Sequence, residues 1–185
     1  VRVALFARWP EAGKAKTRLI PAIGADAAAA LHKRLTERTV ATVLAAGLAC
    51  EVRSTGAEPA AFRDWLGTHV TIVDQGDGDL GDRLARAAET LPVLLLGADI
   101  PDLAPQHLHA AVAALANNPA VIGPAGDGGY WLLGLSAPAP VFDGIDWGTE
   151  TVFAATVARL APDTPRLAML ADLDRPEDLA RWPDL

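Results

Sequence analysis

Val93-Leu94-Leu95-Leu96-Gly97-Ala98-Asp99-Ile100-Pro101 is the stretch on which the fold turns. Four successive large apolar residues leave no polar face, so this segment reads as a strand covered on both sides, as in a mostly parallel sheet. Gly97 closes the run, Pro101 fixes the turn beyond it, and Asp99 is left at the strand's carboxyl tip. In open α/β sheets ligands bind beyond those tips, which makes Asp99 a candidate site residue by position alone.

Working outward, short apolar runs alternate with longer helical patterns. Strands are expected at Val1–Ala7, Ala49–Ser54, Val70–Asp74, Ala120–Gly123, Tyr130–Leu135 and Arg166–Leu170. Helices are expected over Asp26–Ala46, Ala60–Leu66, Asp82–Thr90, Leu103–Ala116 and Glu150–Leu160. In the longest, Ala28, Leu31, Leu35, Val43 and Ala46 make the apolar stripe, Asp26 is the expected N-cap, and Gly47 sits where the helix should end. This alternation predicts an α/β fold with a mostly parallel central sheet. No repeat or linker divides the chain, so residues 1–185 are expected to form a single domain.

Composition narrows the function. The chain is 51% apolar and 21% charged, which is ordinary for a globular domain. Its net charge of −7 argues against a nucleic-acid partner, which needs a basic footprint. The one cysteine, Cys50, excludes an internal disulfide and reads as buried filler. No run approaches the ~20 apolar residues of a membrane span, and no signal segment precedes the first strand, so a cytoplasmic location is expected.

Four loops follow strand ends. Arg8-Trp-Pro-Glu-Ala-Gly-Lys-Ala-Lys-Thr-Arg18 is a basic island in an acidic chain, and Gly13 with Lys14, Lys16 and Arg18 suits phosphate oxygens. It is not a P-loop: Arg8 stands five positions before Gly13, and Ala15 follows Lys14. Gly76-Asp-Gly-Asp-Leu-Gly81 matches the dinucleotide fingerprint in letters only, because Asp77 and Asp79 would face a pyrophosphate. A turn with Asp79 or Asp82 capping the next helix is the simpler reading. Asp102 likewise reads as a helix cap.

Gly123-Pro-Ala-Gly-Asp127-Gly-Gly-Tyr130 supplies a second acid among glycines that imply a sharp turn or a close backbone approach. Two carboxylates at strand ends, Asp99 and Asp127, suit a magnesium or manganese ion that bridges phosphates, and Asp172 can reach the same place. Thr149 is expected to cap the helix after it, and Asp174 or Pro176 to open a short helix. His32, His69, His107 and His109 have no ligand spacing and read as surface residues.

These segments together resemble a known family. Phe6-Ala-Arg8, Gly13-Lys14, Lys16-Thr17-Arg18-Leu19, Gln75-Gly76, Gly81-Asp-Arg83, Asp99-Ile-Pro101, Asp127-Gly-Gly-Tyr130 and Asp172-Leu-Asp174 look like the DUF2064 group, described as transferase 1 associated with radical-SAM or selenoprotein-type domains. The resemblance implies the GT-A nucleotide-diphospho-sugar transferase fold, a three-layer α/β/α sandwich. It implies that Asp99 and Asp127 are catalytic, that Asp99, Asp127 and Asp172 hold Mg2+ or Mn2+, and that Arg8, Gly13, Lys14, Lys16, Thr17, Arg18, Gln75 and Gly76 bind nucleotide phosphates. The acidic motif here is Asp-Ile-Pro instead of Asp-x-Asp, which implies fewer protein ligands on the metal.

Three functions follow as expectations. The first is glycosyl transfer from a nucleotide sugar to a small-molecule acceptor. The second is nucleotidyl transfer from a nucleoside triphosphate, faintly echoed in Gly13…Thr17-Arg18-Leu19…Pro21. The third is nucleotide binding without turnover, as in a partner subunit.

Overall fold

The computed structural model describes residues 1–185. Six strands form one sheet: β1 (Arg2–Arg8), β2 (Ala49–Thr55), β3 (Thr71–Asp74), β4 (Val93–Gly97), β5 (Ala120–Pro124) and β6 (Tyr130–Leu135). Their order is β3-β2-β1-β4-β6-β5. The pairs β3·β2, β2·β1 and β1·β4 are parallel, whereas β6 runs antiparallel to both β4 and β5. The apolar run at Val93–Gly97 is thus a central strand, paired on both edges, with Leu96 opposite Leu5 on one side and Leu132 on the other.

Alternation along these strands feeds two cores. Val3, Leu5, Leu94 and Leu96 face helices α2 (Ala25–Ala45), α3 (Pro59–Leu66) and α5 (Pro105–Leu115), where Val40, Phe62 and Leu108 meet them. Ala4, Val93 and Leu95 face the other way, toward Leu84 of α4 (Leu80–Ala87) and Phe153 of α6 (Val152–Val157). Helices therefore cover both faces, giving three layers. Each fully buried Leu or Phe contributes roughly 1.5–3 kcal/mol of transfer free energy, so the sheet is anchored on both sides. A one-turn helix, α1 (Ile20–Ile23), links the basic loop to α2. Cys50 lies in β2, buried, and burial raises its thiol pKa to about 12.

Several expected boundaries move. Arg166–Leu170 is not a strand: it makes only isolated bridges, Arg166 with Ile122 of β5 and Leu170 with Ala125 just beyond β5. Ile122 N donates to Pro165 O and Leu167 N to Ile122 O, but Pro124 has no N–H to continue the ladder. The helix caps differ too. Gly24, not Asp26, precedes α2, leaving Asp26 in the first turn, where its charge suits the helix dipole. Thr151, not Thr149, precedes α6, and the Thr149 hydroxyl donates to Asp146 O instead. Asp102 accepts the indole N–H of Trp182 at 2.9 Å, and Ala104 stands at the start of α5. Arg175 precedes the closing 3-10 turn Pro176–Arg181, and Asp178, not Asp174, caps it by accepting from both Asp174 N and Arg175 N. Asp79 does cap α4, accepting from Asp82 N at 3.0 Å while Asp82 accepts from Asp79 N. A carboxylate therefore occupies the amides that a dinucleotide would need there.

Candidate functional site

Asp99 follows β4 at the carboxyl edge of the sheet, and three cavities meet beside it. The largest, about 360 Å³, is lined by Phe6, Arg18, Leu80, Asp99, Asp127, Tyr130 and Trp147 among others. The second, about 180 Å³, gathers Asp99, Asp127, Asp172 and Asp174. The third, about 270 Å³, takes in Arg8, His32, Thr55, Gln75 and again Asp99. Gly97 and Asp99 line all three.

Lys16 holds Asp99 in place. Its backbone is left-handed (φ 49°), which turns its side chain inward, and that side chain is only 3% exposed. The ammonium lies 2.6 Å from Asp99 Oδ1, 2.6 Å from Leu173 O and 3.6 Å from Asp174 Oδ1. Burial disfavours the charged carboxylate of Asp99, but the Lys16 charge and hydrogen bond, with a smaller part from His32, outweigh it and hold the pKa below the ordinary carboxylate value. The Asp99 side chain keeps 45% exposure toward the cleft, so it remains reachable from the cavities. Leu173 completes the clasp. Its N–H donates to Asp99 O at 2.8 Å, and its side chain is buried with Leu19, Leu31 and Leu35. Residues 172–174 thus form a strap, with Asp172 on the small cavity, Leu173 in the core and Asp174 on the basic loop.

Asp127 is held differently. It is exposed, on the loop between β5 and β6, and its Oδ1 accepts from Gly129 N at 2.8 Å in a local turn. Gly128 has φ +88°, and a Cβ there would stand 2.3 Å from Glu150 O. That glycine allows segment 143–151 to close against the acid loop. Across the small cavity, Asp172 has a raised pKa, first from burial and then from the charge of Asp127. No three His, Cys, Asp or Glu side chains converge tightly enough to form a ready-made metal centre.

The other expected residues divide into groups. Arg8 and Gln75 line the 270 Å³ cavity, where Gln75 is buried and donates to Arg53 O at 2.9 Å. Arg18 lines the largest cavity and pairs with Asp174 at 2.5 Å. Lys14 turns outward onto Glu11 at 3.0 Å, and Gly13, Thr17 and Gly76 line none of these cavities. His32 is no surface residue: it is 8% exposed, and its Nε2 lies 3.0 Å from Arg8 O. A carbonyl only accepts, so Nε2 carries the proton. Burial lowers the pKa of His32 despite the nearby Asp99 charge, which keeps the ring neutral at physiological pH. Its signal was periodic, since His32 falls four residues after Ala28 and four before Thr36, both buried on the same face of α2.

Against this geometry, a family model described as an uncharacterized protein conserved in bacteria, DUF2064, matches residues 38–149. The chain belongs to the DUF2064 family. A protein from Desulfovibrio desulfuricans G20, provisionally described as a nucleotide-diphospho-sugar transferase, is 33% identical to this DUF2064 chain. It superposes with a TM-score of 0.85 over 94% of this chain and 81% of its own. Rv0371c of Mycobacterium tuberculosis H37Rv, determined in complex with manganese, is 19% identical with a TM-score of 0.55, covering 98% and 97% of the two chains. A nucleotidyl transferase from Methanothermobacter thermautotroptrophicus is 18% identical with a TM-score of 0.57, covering 97% and 94%. The latter two speak to fold alone, and the likeness to nucleotide-diphospho-sugar transferases rests on the Desulfovibrio protein. No curated protein matches by sequence. No helix of this DUF2064 chain is long and apolar enough to cross a membrane.

Proposed function

We propose that the protein is a metal-dependent transferase that uses a nucleotide-activated donor and moves a glycosyl group from a nucleotide sugar to a small acceptor. One observation carries the reading: a single carboxylate, Asp99, borders a polar chamber with Arg8, His32 and Gln75, an acid-rich recess, and a larger chamber open to a second substrate. The polar chamber suits the nucleoside part of a donor. Arg18, at the mouth of the larger chamber, suits its diphosphate.

The recess also fits a divalent cation. The charge of Asp127 raises the pKa of Asp172, so two carboxylates are brought together with no cation of their own, while Lys16 already neutralises Asp99. Asp99, Asp127 and Asp172 would hold magnesium or manganese together with donor phosphates and water, since these ions keep several non-protein ligands. When bound, the ion would stabilise negative charge on the departing diphosphate. In the transfer, the acceptor hydroxyl oxygen bonds to the anomeric carbon as the bond from that carbon to the diphosphate oxygen breaks. The electron pair leaves with the nucleoside diphosphate. Asp127 would take the acceptor's proton on whichever carboxylate oxygen the ion leaves free.

A second reading, nucleotidyl transfer from a triphosphate, draws on Arg18, whose guanidinium lines the chamber that would hold a leaving pyrophosphate.

The test is a thermal-shift panel of nucleoside diphosphates, triphosphates and nucleotide sugars with manganese, magnesium or chelator. A ligand at ~100 times its dissociation constant adds about 2.7 kcal/mol and raises the melting temperature by a few degrees. The expected outcome is a metal-dependent shift with one nucleotide sugar that is lost in Asp99→Asn, a variant that keeps a polar partner for Lys16. A preference for triphosphate selects the nucleotidyl reading. Binding without diphosphate release selects a non-catalytic nucleotide-binding subunit, and no shift with any nucleotide overturns the proposal.

A further inference from the structure

The largest chamber has a chemistry that the donor does not need. Nine of its sixteen lining residues are hydrophobic, Phe6, Leu84, Leu95, Tyr130, Trp147 and Val152 among them, and its volume of about 360 Å³ lies in the range of small-molecule sites. Leu80 stands on its rim 42% exposed, one of few large apolar side chains that the protein leaves in water.

The wall is also built with care. Trp147 lies against α4 at Gly81, where a Cβ would come 2.8 Å from the indole Nε1 and 2.7 Å from Phe142 O. The same segment closes on Gly128 through Glu150, and Phe153 N donates to Gly128 O at 2.9 Å. Two glycines therefore seat one aromatic wall.

The polar side chains on that wall are mostly engaged elsewhere. Thr149 directs its hydroxyl to Asp146 O and shares a 2.7 Å hydrogen bond with Thr151. The Tyr130 hydroxyl makes no hydrogen bond, but it is fully buried near Thr156 and out of a ligand's reach. What remains is Arg18, Asp99 and Asp127, the groups assigned above to phosphate and to chemistry. Beyond these and the buried Tyr130 hydroxyl, the Trp147 indole N–H is the one side-chain donor on the wall without a partner, too little to read the ring of hydroxyls that a sugar would present.

Resting on the transferase reading above, we propose that the acceptor is an alcohol with an aromatic or aliphatic body. That body lies between Trp147 and the Phe6–Leu84–Leu95 floor, and its hydroxyl meets Asp127. A second sugar is the wrong chemistry for this chamber, because its hydroxyls would be desolvated without partners.

The probe is 1-naphthol, titrated calorimetrically into the full chain, with methyl glucoside as the polar control and UDP, GDP, CDP and ADP, each with manganese, as donor fragments. Naphthol is expected to bind where methyl glucoside does not. Trp147→Ala should weaken naphthol by about tenfold, the loss of one aromatic face, while the bound nucleotide changes by less than about twofold. If Trp147→Ala does not fold, Val152→Thr keeps the wall's shape and should weaken naphthol in the same direction. Three results would overturn the proposal: equal affinity for methyl glucoside, an unchanged naphthol affinity in a folded variant, or competitive displacement of naphthol by the nucleotide, which would make this the base pocket. If no nucleotide binds, the donor reading fails on its own, and the naphthol titrations still decide what the chamber takes.

Discussion

The two loops that bring acids to the cleft are held in opposite ways. After β4, Asp99 is fixed from outside its own loop by a buried ammonium from residue 16 and a backbone bond from residue 173. Between β5 and β6, Asp127 is shaped from within by its own turn and by a glycine that admits the neighbouring wall, and it faces another acid instead of a base. The first acid has its counter-charge built in, whereas the second pair is set up for a charge that must arrive. The protein thus fixes one half of the site during folding and leaves the other half to its ligand.

The largest effect expected from breaking this contrast is at Lys16. Lys16→Ala leaves Asp99 without its cation and Leu173 O without its donor. Breaking a fully dry pair costs about 3–5 kcal/mol, and the exposure of Asp99 to the cleft reduces this to about 2–3 kcal/mol. Urea unfolding measures it, and a loss below about 1 kcal/mol would mean that the clasp is incidental. Next is Gly128→Ala, where a methyl group would collide with the Glu150 backbone in a left-handed conformation. It should cost about 2 kcal/mol and slow acceptor turnover as the wall shifts.

Asp172→Asn should have a smaller effect of opposite sign. A raised carboxyl pKa favours the folded state only at acid pH and opposes folding once the group ionises. The variant should therefore match wild type at low pH and be slightly the more stable near neutrality, in chelator. Manganese should reverse the ranking, and a gain that persists in manganese would remove Asp172 from the metal set. The smallest effect on stability is Arg18→Ala. Its pair with Asp174 is exposed, so less than about 0.5 kcal/mol should be lost, even where nucleotide affinity falls markedly.

How much of this was legible in the sequence follows the range of the interactions. The β4 run, its acid tip and the glycines around Asp127 announce themselves locally, because burial on both faces and tight turns restrict neighbouring residues directly. Lys16 reads in the sequence as a phosphate-binding cation of the basic loop, and its role as a clasp is hidden because its partners are separated by 83 positions at Asp99 and by 157 at Leu173. Its left-handed backbone has no marker in the letter Lys. His32 does carry a local mark, its spacing on the buried face of α2 between Ala28 and Thr36. The expected strand at 166–170 failed for a reason in another segment, the missing N–H of Pro124.

The lone thiol of Cys50 has a practical consequence. A pKa near 12 and a place inside β2 leave almost no thiolate at neutral pH, so maleimide reagents should pass it by while the protein is folded. The natural chain is then a silent background for labelling. Ala12→Cys and Glu177→Cys, both at exposed positions outside the cleft lining, would take a dye pair without touching the candidate site. Energy transfer between them would report directly whether the basic loop and the strap separate when a donor arrives.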